Sequence, residues 1–415
     1  MKLSRAKARV VVPDSLLPME GFGYQLDELY VRLLRVDDGN IAWLLVSLEL
    51  TSLKDGLLDR LKDYLAEACQ LSPENIWISV THTFSVPHIS DDWSLETEKS
   101  QKSQVLFEHL MAAVRLASQK LSGSHTEVSI SYATGETLLG LNRDLKTKKG
   151  WWLGPNPAGQ IASQMNGLVF TDLAGQIQAR VLQVSVPSSI LQDVNGKQGK
   201  PISGDLFGQT AQLVEEDGSL CILLLGSAAD QMPKAKSVFD TLDFQGKLVQ
   251  KDFSDQAEER LRLACTDLTN HIRCMDKSLV SLSSTLEVEN YSLDCPRQVL
   301  PRLTDLRPDA SYCYQVLEGT KKFFIAIVKI GGVTLVGLQV EVPARFLEDL
   351  ALEGRPMMVV TMINGGAKYL VPSQSYDERR YQAMNAFYAQ GSYENVIQEL
   401  RGLLESEEKD ENWTC

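Results

Sequence analysis

The fold is decided by Ile41-Ala42-Trp43-Leu44-Leu45-Val46-Ser47-Leu48, followed at Ile76 by Ile76-Trp77-Ile78-Ser79-Val80-Thr81-His82-Thr83-Phe84-Ser85. The first run is apolar at nearly every position, as in a strand covered on both faces. Between the runs, Asp55 can cap a helix whose buried stripe is Leu57, Leu58, Leu61, Leu65 and Ala68. Ser72-Pro73-Glu74-Asn75 is a turn into the second strand. Strand, helix and strand make a β-α-β unit, which dictates parallel strands and a right-handed crossover. Polar residues at the carboxyl end of such a strand, here Thr81 to Ser85, are where open α/β sheets place their sites.

Outward from this unit the chain continues to alternate. A second helix is expected over roughly 99–121, with His109 beside its apolar face. Strands are expected near 126–132, 167–171 and 177–186. Between the first two lie Leu141-Asn142-Arg143, the lysines of 146–149 and Trp151-Trp152-Leu153-Gly154-Pro155-Asn156-Pro157. This composition reads as an irregular loop, either pinned to the body by its tryptophans or forming a lid or pocket wall. The lysine cluster is either a wet loop face or, if it lines the site, a preference for an anionic ligand.

A helix over Leu206–Val214 precedes a buried strand, Leu220–Leu225, that opens into Gly226-Ser227-Ala228-Ala229-Asp230. A helix over 254–271 follows. Gly331-Gly332 joins Phe323–Ile330 to Val333–Glu341 as a hairpin. Pro343 starts a helix to about 351, Met357–Met362 is a strand, and helices near 376–389 and 393–404 close the chain. The pattern is that of an α/β protein with a large mixed sheet, read as one domain over 1–404. The turn-rich stretch 292–314 is the place for any internal subdivision, and 405–415 reads as an acidic flexible tail.

Composition narrows the partners. The 415 residues are 44% hydrophobic and carry 41 Lys+Arg against 54 Asp+Glu, a net charge of −13. That field opposes broad binding to a nucleic-acid backbone, though it leaves room for a local basic patch. No apolar run approaches the roughly 20 residues of a membrane span, and the basic start lacks the apolar region of a signal peptide. Seven cysteines, an odd number without Cys-x-x-Cys spacing, point to a reduced, cytoplasmic protein, with Cys69, Cys221 and Cys265 in the core. The partner left is a small-molecule substrate or ligand.

His82, Asp230, Glu341 and Tyr369 all lie within or just after expected buried strands. Charged groups there need a partner, a hydrogen bond or a metal. Arg143 is either a salt-bridge residue or a guanidinium that holds a carboxylate or an oxyanion. Asp230 is either a cap or a group that orients a base or a metal-bound water.

In family order, several segments resemble the catalytic domain of the neutral, non-lysosomal ceramidases and their bacterial relatives. They are Gly21-Phe22-Gly23 with Leu29-Tyr30-Val31-Arg32, Trp43–Leu50, Thr81-His82-Thr83-Phe84-Ser85-Val86-Pro87, Gly154-Pro155-Asn156-Pro157, Ile202-Ser203-Gly204-Asp205, Gly226–Pro233, Gly337-Leu338-Gln339-Val340-Glu341 and Asn364–Pro372. The resemblance implies a zinc-dependent amidase domain with His82, Glu341 and Tyr369 as metal ligands. It also implies departures. The second ligand histidine falls on Val186, a neighbouring histidine on Phe84, the serine linked to catalysis on Met232, and Glu49 replaces an aspartate. His88 is the histidine that supplies another nitrogen if its loop folds back, and otherwise a surface-loop residue. Two functions follow as expectations: a hydrolase of this family acting on an amide smaller and more polar than ceramide, or a metal-free, inactive small-ligand-binding protein on the same scaffold.

Overall fold

The computed structural model describes residues 1–93, 97–123, 125–308, 311–352 and 355–411. Eight strands form one large mixed sheet: β1 (Lys2–Val10), β2 (Leu29–Asp37), β3 (Ala42–Leu48), β4 (Ile76–Val80), β5 (Thr126–Glu136), β6 (Gln164–Asp172), β7 (Ile177–Val184) and β8 (Leu220–Leu225), in the order β8-β7-β6-β5-β1-β2-β3-β4. Val280–Ser281 adds a short strand beside β5. The pairs at the two ends of the order, β3 with β4 and β7 with β8, are parallel; the pairs between them are antiparallel. A second sheet runs β9 (Leu286–Gln298), β10 (Val316–Ile330), β11 (Val333–Leu338) and β12 (Met357–Val360), with β11 and β12 parallel.

The two sheets pack face to face, and helices cover both outer faces. Side-chain alternation along each strand produces these layers. In β3, Leu44, Val46 and Leu48 face the helices α1 (Asp55–Cys69), α2 (Glu98–Leu121), α3 (Asp205–Val214) and α4 (Ala257–Met275). Trp43 and Leu45 join Trp77, Val328, Leu335 and Val360 between the sheets. Both faces of β3 are therefore buried, which is why its sequence is continuously apolar. The far side of the second sheet packs Phe323, Ile327 and Val336 against α5 (Arg345–Leu350) and α6 (Ser392–Glu411).

Arg32 threads the large sheet and is buried between Glu49 and Glu215. Its Nε lies 2.8 Å from Glu215 Oε1, and Lys7 reaches Glu215 at 2.7 Å. Two cations thus face two carboxylates, as burial of charge requires. Glu49 also packs against the start of α3. A Cβ at Gly204 would sit 2.8 Å from its carboxylate, so that close approach demands glycine.

Several local expectations are corrected. Asp55 is the first residue of α1; Lys54 precedes it, and no side chain caps the helix. The stretch 144–153 forms a hairpin of Asp144–Thr147 and Gly150–Leu153, because the alternation around Lys148-Lys149 suits a tight turn. The stretch 292–298 belongs to β9, which bulges between Pro296 and Arg297 to pass the proline. β11 ends at Leu338, three residues early, because Glu341 leaves the ladder to pair with Tyr369. The helix expected over 376–389 is two short ones, Ser373–Asp377 and Tyr381–Met384, separated where Arg379 turns left-handed (φ 49°) and Arg380 extends. The expected acidic tail begins inside α6, and 412–415 lie outside the described residues.

Candidate functional site

The segment leaving β12 draws both outer strands of the large sheet to one place. Thr361 N donates to Leu225 O at the end of β8 (2.7 Å), and Asn364 N donates to Ile78 O in β4 (2.7 Å). Asn364 Oδ1 accepts from Ile78 N at 2.9 Å, so this asparagine takes up both polar groups of Ile78. Met362, Asn364 and Lys368 all adopt positive φ, as does His82 (56°). Such strained backbone gathers at functional sites.

Backbone bonds then align the chemistry. Glu341 N donates to Lys368 O (2.8 Å) and Leu370 N to Glu341 O (3.0 Å), which sets Glu341 beside Tyr369. Ala229 N donates to Val342 O, and Arg143 N donates to Asp230 O at 2.8 Å. The short strand Gly140–Asn142, paired with Gln231–Pro233, delivers Arg143 to the same place.

Four of the five residues singled out in the sequence make one cluster. His82 Nε2 lies 3.3 Å from Glu341 Oε1. His82 Nδ1 donates to Thr51 O at 2.5 Å, which orients the ring, and Phe84 packs edge-on against it at 4.7 Å. Arg143 Nη2 donates to the Tyr369 hydroxyl at 3.2 Å, and its Nε to Ala229 O at 2.9 Å. His82, Glu341 and Tyr369 are buried.

Burial sets the electrostatics and the neighbours reverse it. Burial alone pushes Glu341 up, but His82, Arg143 and donation from Tyr369 outweigh it and hold the carboxyl below its ordinary range. Burial pushes His82 down, but Glu341 and the Thr51 carbonyl raise it above the ordinary imidazole value, against opposition from Arg143. Burial and the Glu341 charge push the Tyr369 phenol up, far more than Arg143 lowers it. The cluster therefore holds a carboxylate, a guanidinium and a neutral phenol, with an imidazole that its neighbours push towards the protonated form.

Asp230 stands apart from this cluster. Its Oδ1 accepts from Ala344 N (2.9 Å), at the start of α5, and from Gln231 Nε2 (3.0 Å); its Oδ2 accepts from Asn142 Nδ2 (3.3 Å). Burial raises its pKa to about 6, helped by nearby Asp144. It reaches the site through its backbone oxygen, by holding Arg143. His88 lies on the surface, 61% exposed, with its ring on Glu20 at 3.0 Å. Val186 is fully buried in the core beneath the helices.

Sequence reading missed several contributors. Thr51 acts through its carbonyl, which leaves no side-chain signal. Gln382 Nε2 donates to Asp144 Oδ1 (2.8 Å) and Ala229 O (3.1 Å), and Arg380 Nη1 to Asp144 Oδ2 (2.7 Å). Tyr381 faces Tyr369 edge-on at 6.2 Å and Trp152 at 6.1 Å. The two tryptophans take different positions. Trp152 Nε1 donates to Asp240 Oδ2 (2.9 Å) and pins the hairpin. Trp151 helps line a crevice of about 240 Å³ with Asn142, Asp144, Asp230, Arg380 and Gln382. A larger cleft of about 500 Å³, between α1 and β10, includes none of the cluster residues.

No protein-family model matches the sequence, and no curated protein sequence matches it. Solved structures do match the fold. The crystal structure of neutral ceramidase from Pseudomonas aeruginosa superposes with a TM-score of 0.72, covering 98% of this chain and 74% of that one at 15% identity. A ceramidase structure complexed with C2 gives the same TM-score and identity and covers 98% of this chain and 75% of that one. The chain thus has the fold of neutral ceramidase over nearly its whole length.

Proposed function

We propose that the chain is an inactive, zinc-free relative of the neutral ceramidases whose cleft binds a small polar ligand. The observation that carries this reading is the short donor set around His82: one imidazole nitrogen, one carboxylate and a phenol bonded to Arg143. Nδ1 donates to Thr51 O, which leaves Nε2, 3.3 Å from Glu341 Oε1, as the one ring nitrogen with a lone pair to offer. The donor set fits a resident zinc poorly. Catalytic zinc sites use three protein ligands besides water, drawn mainly from His, Cys, Asp and Glu. Among the described residues no three such side chains gather around a common point. Tyr369, the remaining oxygen, is held in its neutral form and bonded to Arg143. The position where the resemblance implies the second histidine is the buried Val186.

What remains can bind and orient. The Arg143 guanidinium carries a permanent positive charge and N–H groups beyond those given to Ala229 O and Tyr369, which suits a ligand oxygen. Binding measured calorimetrically with short carboxylates and small amides, together with metal analysis after dialysis in zinc buffer, tests the reading. The expected result is well under one zinc per chain and no amide hydrolysis. Stoichiometric zinc that is lost with His82→Ala, accompanied by hydrolysis, overturns it.

A second reading rests on one distance. Two adjacent ligands of a tetrahedral zinc, each about 2.0–2.2 Å from the ion, stand about as far apart as the 3.3 Å between His82 Nε2 and Glu341 Oε1. That spacing supports a hydrolase of the ceramidase type acting on a small polar amide, with Arg143 stabilising the oxyanion. The same metal analysis separates the two.

A further inference from the structure

A cavity of about 430 Å³ lies at the carboxyl ends of the parallel strands β7 and β8. Ser185, one residue after β7, and Ser227, two residues after β8, both line it, and each is only 3% exposed. The end of β5, the segment 160–164 leading into β6, and α5 supply its other walls. None of His82, Arg143, Glu341 and Tyr369 lines it. The ends of neighbouring parallel strands are where open α/β sheets place ligands.

A buried polar chain runs to this cavity. The Tyr132 hydroxyl donates to Asn166 Oδ1 (2.7 Å), Asn166 Nδ2 to Gln183 Oε1 (2.8 Å), and Gln183 Nε2 to Ser185 Oγ (2.8 Å). Ser185 therefore receives a hydrogen bond and keeps its own O–H to give. Among the described residues, nothing pairs with Ser227 Oγ. A buried hydroxyl without a partner is uncommon in a folded protein and calls for one. The rim is acidic. Glu136, which closes β5, and Glu348, on α5, are both exposed. Glu348 Oε1 accepts from Gln160 Nε2 at 2.7 Å, and no described residue lining the cavity is Lys, Arg or His.

We propose that this cavity binds a small hydroxylated primary amine of the amino-sugar type, with its hydroxyls on Ser185 and Ser227 and its ammonium group at the rim carboxylates. The volume falls within the roughly 300–1,000 Å³ of small-molecule sites. A ligand hydroxyl can accept from Ser185, and can both give to and accept from Ser227. The ammonium meets carboxylates with no lining cation to compete, and an anion is repelled by the same groups. A plain polyamine supplies the charge but no acceptor for the two serine hydroxyls.

Saturation-transfer NMR on the intact chain, with glucosamine as the probe and glucose and spermidine as comparisons, tests this. Glucosamine is expected to bind more tightly than either, and to weaken with salt because the rim charges are exposed. Glu136→Gln with Glu348→Gln is expected to weaken it about 10-fold. Ser227→Ala removes a hydroxyl that has no bond to lose in the free protein. Its unfolding midpoint is therefore expected to be unchanged or raised, while glucosamine affinity falls about 3–10-fold. No transfer to glucosamine at millimolar concentration overturns the proposal. So does binding of glucose or spermidine as tight as that of glucosamine, or glucosamine binding that neither variant changes. A Ser227→Ala chain that is less stable but binds glucosamine as before also overturns it, since that is the behaviour of a hydroxyl satisfied by enclosed water. None of the substituted residues belongs to the His82–Arg143 cluster, so failure here leaves the reading of that cleft standing.

Discussion

Replacing Asp230 by asparagine is expected to change stability with opposite signs at low and high pH. Asp230 is buried, and its pKa stands at about 6 against an ordinary 3.8. A carboxyl raised in the folded state favours folding while protonated. That contribution is full below the unfolded value near 4 and is lost as pH rises through about 6. The loss amounts to on the order of 3 kcal/mol by pH 8. Asparagine carries no charge at any pH, so it escapes this cost. Its carbonyl oxygen can keep the bonds from Ala344 N and Gln231 Nε2, but its amide then faces the Asn142 amide, donor against donor. One such frustrated contact costs about 1–2 kcal/mol. The variant is expected to be less stable than the parent by about 1–2 kcal/mol at pH 4 and more stable by about 1–2 kcal/mol at pH 8. Urea unfolding at pH 4, 6 and 8, with unchanged m values, measures this directly. A difference that stays constant across that range refutes the assignment of Asp230 as a buried, raised carboxyl whose side chain caps the Ala344 turn.

Three further substitutions probe the same framework. His82→Ala leaves Glu341 buried with only Arg143 and Tyr369 against its charge, and is expected to destabilise by about 3 kcal/mol in chemical denaturation. Because His82 is raised and Glu341 lowered in the fold, the loss is largest between their pKa values, where the parent is an ion pair; it shrinks as acid protonates Glu341 or as base neutralises His82 in the parent. Arg32→Met strands Glu49 inside the sheet while Lys7 still serves Glu215, and a loss of about 3–5 kcal/mol is expected at neutral pH, partly recovered in acid as the carboxyls protonate. Gly226→Ala would place a Cβ 2.1 Å from Gln183 Nε2 and 2.4 Å from Ser185 Oγ, so a lowered unfolding midpoint, by at least about 1–3 kcal/mol, is expected from that one methyl.

The β-α-β unit was readable because every cue agreed: a two-faced apolar strand, a helical stripe, a proline turn and a second apolar strand ending in polar residues. The layering was not readable to the same extent. That Trp43 and Leu45 belong to a different core from Leu44 and Val46 depends on a second sheet that begins more than 200 residues later. The site shows the same division. Each member was conspicuous alone, as a charged or phenolic group beside an apolar strand, but their meeting depends on Thr361–Asn364 reaching strands separated from it by roughly 140 and 290 residues. Side chains that act by polarity left marks in the sequence, whereas Thr51, which orients His82 through its carbonyl, left none. Arg32 did leave a mark, a cation inside an apolar strand, and it belongs to the framework rather than the chemistry. A buried charge thus announces that a partner exists without announcing what the pair is for. His82 with Glu341 and Arg32 with Glu49 obey the same electrostatics. What separates them is position: the first pair sits on strained backbone where strand ends converge, next to a guanidinium that still has N–H groups to offer, and the second is buried against the start of α3.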